Sequence, residues 1–231
     1  MSTVEHPEPR TLPPLAHGQR MDQSTFHERY AAMGEGKWFE LVGGVVHMVY
    51  PAYESHGLGD SNLISWLCHY RRFTTGVRVV NNVSTILGDD CEVQPDSQLR
   101  ILEEYGGKAR VEGGYIVGPP ELVVEVGRSS WSHDLGAKKA DYERAGVAEY
   151  LIDGGKPRQV RWFRLREGRY IELAPGEDGI YRSEIFPGLW LDSRALLADD
   201  LDALFAALAR GLAAPEHAAF VARLAARKAG G

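Results

Sequence analysis

Three ionisable residues carry the chemistry this sequence can support: Asp96 in Gln94-Pro95-Asp96, Glu125 in Glu121-Leu122-Val123-Val124-Glu125-Val126, and Lys138 in Asp134-Leu135-Gly136-Ala137-Lys138-Lys139. Magnesium is often held by only one or two carboxylates, with water and phosphate oxygens completing its octahedron. An ammonium group beside that ion can meet the charge of a phosphate. Each residue also has a plainer use. A strand-end carboxylate can reach solvent, Glu125 can pair with Arg128, and Asp134 and Lys138 at i, i+4 can form a surface pair worth a few tenths of a kcal/mol. Chain order favours the joint reading, because the helix with Lys138 directly follows the Glu125 strand and its first turns can return to that strand's end. Asp134, Lys138 and Tyr142 share one helix face, whereas Lys139 points elsewhere.

Positioning these groups takes an α/β core. A short helix is predicted over about 22–33, with Asp22 or Ser24 as its cap. Trp38 to Val42, Gly43-Gly44 and Val45 to Tyr50 read as a hairpin whose glycines supply positive φ, ended by Pro51. An apolar stripe predicts a helix over 55–73. Three strand-like segments follow, at 77–87, 92–101 and 121–126, the last apolar enough for the middle of a sheet. Residues 102–120 read as a long polar loop. Ser132 is placed to cap a helix over 133–145 that Gly146 ends, before a strand at 149–153. A hairpin over 159–173 and an extended stretch over 181–191, interrupted by Pro187-Gly188, lead to a helical tail over 193–227 divided at Pro215. The organisation expected is a mobile proline-rich arm over 1–20, one domain over 21–192 and a C-terminal helical extension over 193–231.

Composition narrows the function. Of 231 residues, 44% are hydrophobic, and no apolar run reaches the roughly 20 residues of a membrane span. The N-terminal stretch lacks the basic-then-apolar pattern of a secretory signal. The two cysteines, Cys68 and Cys91, form no zinc motif, which makes a reducing cytoplasmic location the default. A net charge of −6 argues against tight nonspecific DNA binding, which draws on basic residues.

The sequence resembles the Uma-type family of putative endonucleases, whose members share the restriction-endonuclease-like PD-(D/E)xK fold. The matching residues are Pro95-Asp96, Pro120 to Val126, Asp134 with Lys138 and Tyr142, Ala145-Gly146-Val147 with Glu149-Tyr150-Leu151, and Phe186-Pro187-Gly188-Leu189, within about 36–191. The resemblance implies a mixed β-sheet flanked by helices, with an added N-terminal hairpin and C-terminal helices. It implies DNA as substrate, Asp96 and Glu125 as ligands of Mg2+ or Mn2+, and a metal-dependent cleavage of phosphodiester bonds. The superfamily lysine two residues after the glutamate is Gly127 here, and the family's displaced lysine points to Lys138. Glu40 and His56 lie where the family often has an acid and a histidine, making them further catalytic candidates. Asp134 would position Lys138, with Tyr142 beside it.

A homodimer is expected, as for many nucleases. His47, His69 and His133 have no ligand spacing and receive no role. Lys108 and Arg110 in the long loop could meet a phosphate backbone, and Trp131 could line a cleft mouth, while Trp66, Trp162 and Trp190 read as core. Two other functions compete: a catalytically inactive nuclease-fold module that binds nucleic acid or a protein, and a structural or oligomerisation role.

Overall fold

Two glycines in sequence set the first element of the core. In this computed structural model, which describes residues 12–34, 38–49, 53–127 and 130–230, Gly43 and Gly44 take φ of +56° and +72° between β1 (Trp38–Val42) and β2 (Val45–Val49). That conformation closes a two-residue hairpin, with Glu40 directly opposite His47 and Trp38 opposite Val49. Ahead of it, α1 (Gln23–Ala31) is capped by the Asp22 carboxylate, which accepts from Thr25 N at 2.8 Å. The expected hairpin end at Pro51 and the Glu125–Arg128 pair fall outside the described residues.

After α2 (Glu54–Phe73), two expected strands each divide. Asn82, at φ +50°, turns the chain between β3 (Val77–Val80) and β4 (Thr85–Gly88), and the stretch with Pro95 separates β5 (Cys91–Val93) from β6 (Ser97–Ile101). The expected polar loop over 102–120 is also corrected. It contains a 3-10 turn at Glu103–Tyr105 and a hairpin of β7 (Arg110–Glu112) and β8 (Tyr115–Val117) around Gly113-Gly114, with strands too short to show alternation. β9 (Leu122–Gly127) is buried along its whole length.

A helical run then follows as α3 (Trp131–His133), a π-helical stretch Asp134–Lys138 and α4 (Lys139–Ala145), ended by Gly146 at φ +86°. Its start precedes the expected Ser132 cap. β10 (Glu149–Gly154) pairs parallel with β9, and β11 (Gln159–Arg166) and β12 (Arg169–Leu173) complete a meander. β13 (Ile180–Arg182) and β14 (Trp190–Asp192) form a separate ribbon. The tail has three helices instead of two, α5 (Ser193–Ala198), α6 (Leu201–Leu212) and α7 (Pro215–Gly230), because Asp199 takes a left-handed conformation and Asp200 caps α6.

The strands make two six-stranded mixed sheets. The core sheet has the order β12-β11-β10-β9-β6-β3. The hairpin sheet has the order β2-β1-β5-β4-β8-β7, so the hairpin expected as an addition is built into a full sheet. Val42 and Val93 of the hairpin sheet, Val123 and Ile152 of the core sheet, and Tyr142 of α4 share one apolar cluster, placing the helical run against both sheets. The other face of the core sheet is covered by α2 and by Leu196, Leu208, Phe220 and Leu224 of the tail, which thereby joins the main core. The arm expected to be mobile is docked from residue 12 onward. Leu15 is buried beside Phe26 and Phe39, and Gly18 N donates to Val46 O at 2.8 Å. Among the described residues no helix is long and apolar enough to cross a membrane.

Of the three tryptophans read as core, Trp66 and Trp162 are fully buried with ring centroids 6.1 Å apart, and Tyr181 lies equally close to Trp162, whereas Trp190 on the β13–β14 ribbon is half-buried under Arg182. Trp162→Ala is expected to cost about 3–5 kcal/mol. A urea titration reads this directly; a loss below about 1 kcal/mol would place Trp162 outside the stabilising core.

Candidate active site

Antiparallel register brings the two strand carboxylates together. Ser97 pairs with Val124, so the next position outward sets Asp96 opposite Glu125, on the same face. The Asp96 carboxylate is fixed by Val126 N, which donates to Oδ2 at 2.7 Å, and its Oδ1 lies 3.3 Å from His56 Nε2 at the start of α2. That contact, opposed by partial burial, pushes the His56 imidazole up to about 9, so it is cationic at neutral pH.

Glu125 is almost wholly buried, and Lys138 reaches it from the helical run. Lys138 Nζ sits 2.8 Å from Glu125 Oε1 and 3.0 Å from Glu40 Oε1, bridging the core sheet and the hairpin sheet. Tyr142 Oη donates to Glu125 Oε1 at 2.6 Å, and Gln94 N donates to Glu40 Oε1 at 2.8 Å. Glu40 is therefore a buried site residue and not a solvent-facing strand residue. Among the described residues nothing donates to Glu125 Oε2, which leaves that oxygen for a ligand.

Asp134 does not pair with Lys138. Its carboxylate accepts from Ser130 Oγ at 2.5 Å and lies against the Gly127 backbone. A Cβ at position 127 would overlap Asp134 Oδ2 and crowd Ser130 Oγ. The usual lysine position is thus closed by Asp134, at the start of the π-helical stretch, and Lys138 follows four residues after Asp134. A π-helical stretch at this point is a common feature of functional sites. Lys139 lies 4.6 Å over the Phe163 ring, away from the carboxylates.

Four carboxyl groups, Glu40, Asp96, Glu125 and Asp134, face two cations, Lys138 and His56. Burial raises Glu125 to about 8, against the pull of Lys138 and with help from Asp96 and Asp134. Burial likewise raises Asp134 to about 6. Burial opposes the charge on Lys138, yet Glu125 and Glu40 outweigh it and hold the ammonium well above its ordinary value. The cluster is short of positive charge and retains protons to compensate.

Two groups near the site escaped the sequence reading. His47 lies opposite Glu40, and its ring is 4.4 Å from that of His133 on α3; counting outward from Gly43-Gly44 would have found the pairing. Burial, then His47, lowers the His133 imidazole to about 4. Asp60 follows His56 by one helical turn and has a buried Oδ1 with no hydrogen-bond partner among the described residues. In the long loop the Lys108 backbone N donates to Glu121, and the Arg110 side chain pairs with Glu112. Trp131 packs over Gly154 and Gly155. Among the described residues no three histidine, cysteine, aspartate or glutamate side chains form a ready metal cage. The carboxylates of Asp96 and Glu125 are instead the kind of oxygen donor that a water-rich magnesium site uses.

A family model, Uma2, described as "Putative restriction endonuclease", matches residues 24–194. Among solved structures, a "putative nuclease belonging to DUF820" from Anabaena variabilis ATCC 29413 is similar, with a TM-score of 0.55 and 14% identity over 78% of this chain and 97% of that one. That likeness identifies the restriction-endonuclease-like fold. No curated protein matches the chain.

Replacing Lys138 with methionine leaves two buried carboxyls without their cation and is expected to cost about 3–5 kcal/mol, read by urea unfolding. The proton on Glu125 has a separate signature. Its folded value of about 8 exceeds the ordinary 4.5, so its stabilisation is complete below the lower value and is lost as pH rises through the upper one. Between these values the wild-type chain should lose at most about 1.4 kcal/mol per pH unit from this group. Glu125→Gln, which keeps an oxygen for Tyr142, should flatten that slope. Equal slopes in the two proteins would contradict the buried, proton-retaining carboxyl.

Proposed function

The chain belongs to the Uma2 family, and from this premise we propose that it is an endonuclease that hydrolyses DNA phosphodiester bonds with the help of a bound divalent cation. The observation that carries this reading is the charge deficit around Asp96 and Glu125, where four carboxyls face two cations and two of them hold protons above their ordinary range. Asp96 and Glu125 would hold Mg2+, and Mn2+ would suit the same oxygen donors. Once bound, such an ion lowers the pKa of a coordinated water and neutralises charge on the phosphate.

The chain's own groups have distinct tasks. Tyr142 and Val126 N fix the rotamers of Glu125 and Asp96. Lys138, held between Glu40 and Glu125, would turn its ammonium toward the nucleophilic water or the developing phosphate charge, a preorganised electrostatic contribution. His56 braces the free side of Asp96 as a cation. Asp134 keeps the helical run seated on Gly127, so its role toward Lys138 is indirect. A homodimer is part of the same proposal, and light scattering measures it.

Purified protein with magnesium is expected to cut DNA, and Asp96→Asn or Lys138→Met to lower the rate by about 10²–10³-fold while circular dichroism confirms folding. Uncut single- and double-stranded substrates with both magnesium and manganese would end the endonuclease reading. Because the ion must displace the Glu125 proton, magnesium affinity should rise by up to about tenfold per pH unit below pH 8, with proton release, in calorimetry across buffers. Affinity independent of pH would show that Glu125 is not a ligand.

A further inference from the structure

The hairpin face that carries Glu40 extends beyond the helical run that covers it. Along this face Asp141 accepts from Gly43 N at 2.6 Å, Lys138 meets Glu40, and His133 lies against His47. The next pair outward is Trp38 and Val49, directly opposite each other, and both are in solvent, with Trp38 57% exposed. Trp38 precedes Glu40 by two residues on the same side of β1, about 7 Å along the strand. Phe39 and Leu41, on the other side, make the buried contacts with α1, so the hairpin does not need Trp38 for its packing.

A second exposed aromatic stands on another site element. Tyr53 stands at the N-terminal boundary of α2, three residues before His56, the partner of Asp96, and is 73% exposed. Each of these two site elements therefore leads out to an aromatic ring in water.

The charge balance says what such rings are for. Lysine and arginine total 26 against 32 aspartate and glutamate, and the site itself is dominated by carboxyls. Phosphate contacts alone give such a chain little hold on a polyanion. Base stacking on an aromatic face supplies affinity without basic residues, and only unpaired bases offer a free face.

We propose that Trp38, shouldered by Val49, is a stacking platform for an unpaired nucleobase next to the scissile phosphate, which makes single-stranded DNA, or the single-stranded part of a junction, the substrate class. The position of that phosphate rests on the endonuclease reading; the stacking does not.

Fluorescence anisotropy separates the two, using the full chain with calcium in place of magnesium and three labelled probes: an oligothymidylate, a duplex and an abasic strand of equal length. The oligothymidylate is expected to bind at least about tenfold more tightly than either other probe. Trp38→Ala should lose about that factor on the oligothymidylate and nothing on the abasic strand, whereas Trp38→Phe should keep most of the binding. Duplex bound as tightly as single strand, or Trp38→Ala bound as tightly as wild type, would overturn the proposal. Stacking through Trp38 without cleavage in either magnesium or manganese would sink the endonuclease reading alone, and cleavage of duplex unaffected by Trp38→Ala would sink the stacking alone.

Discussion

The contact on which the rest depends is a single ammonium group, Lys138 Nζ, held between Glu125 and Glu40. Those carboxylates stand on different sheets, and the lysine stands on the helical run packed against both, so one buried cation ties three elements at one point. Burial makes the arrangement demanding. An ionised group taken out of water is tolerated only with close partners, and here the helical run and the stretch between β5 and β6 supply them: Tyr142 and Lys138 for Glu125, Gln94 N and Lys138 for Glu40. The acids still outnumber the cations, and the raised proton affinity of Glu125 and Asp134 records the imbalance.

The position of that lysine follows from steric exclusion at Gly127. Residue 127 lies at the end of β9, where Asp134 folds back and is held by Ser130. A side chain at 127 and a carboxylate at 134 cannot share this space. With Gly127 bare, the helix can begin close against the strand, and its next inward residue, Lys138, reaches Glu125 from above the sheet. The placement of Lys138 is thus a packing outcome with an electrostatic consequence. Its amine arrives at the same carboxylate, but now also engages Glu40 on the second sheet.

Much of this was legible in the sequence where local rules are strong. The glycine pair fixed the first hairpin, Asp22 fixed the start of α1, and the apolar run around Val123 marked β9 as a central strand. The trio Asp96, Glu125 and Lys138 was singled out from chain order and family resemblance, and Glu40 and His56 from the resemblance alone. What could not be read was set by tertiary contact. The short strands β4, β5, β7 and β8 carry too little periodicity to declare themselves, and their membership of a second sheet depends on pairing partners far along the chain. Asp134 was assigned to Lys138 by helical spacing, whereas its actual partners, Ser130 and the Gly127 backbone, lie behind it. The docking of residues 12–20 was hidden for the same reason, since a proline-rich segment shows no pattern of its own and gains order from the hairpin it covers.

The central claim is that the deficit of positive charge around Asp96 and Glu125 is made good by a divalent cation. A crystal soaked in manganese, with diffraction recorded for its anomalous signal, tests it most directly. The account predicts one strong peak about 2.0–2.3 Å from a carboxylate oxygen of both Asp96 and Glu125. A map without a peak there, or with manganese bound only elsewhere on the surface, would contradict it.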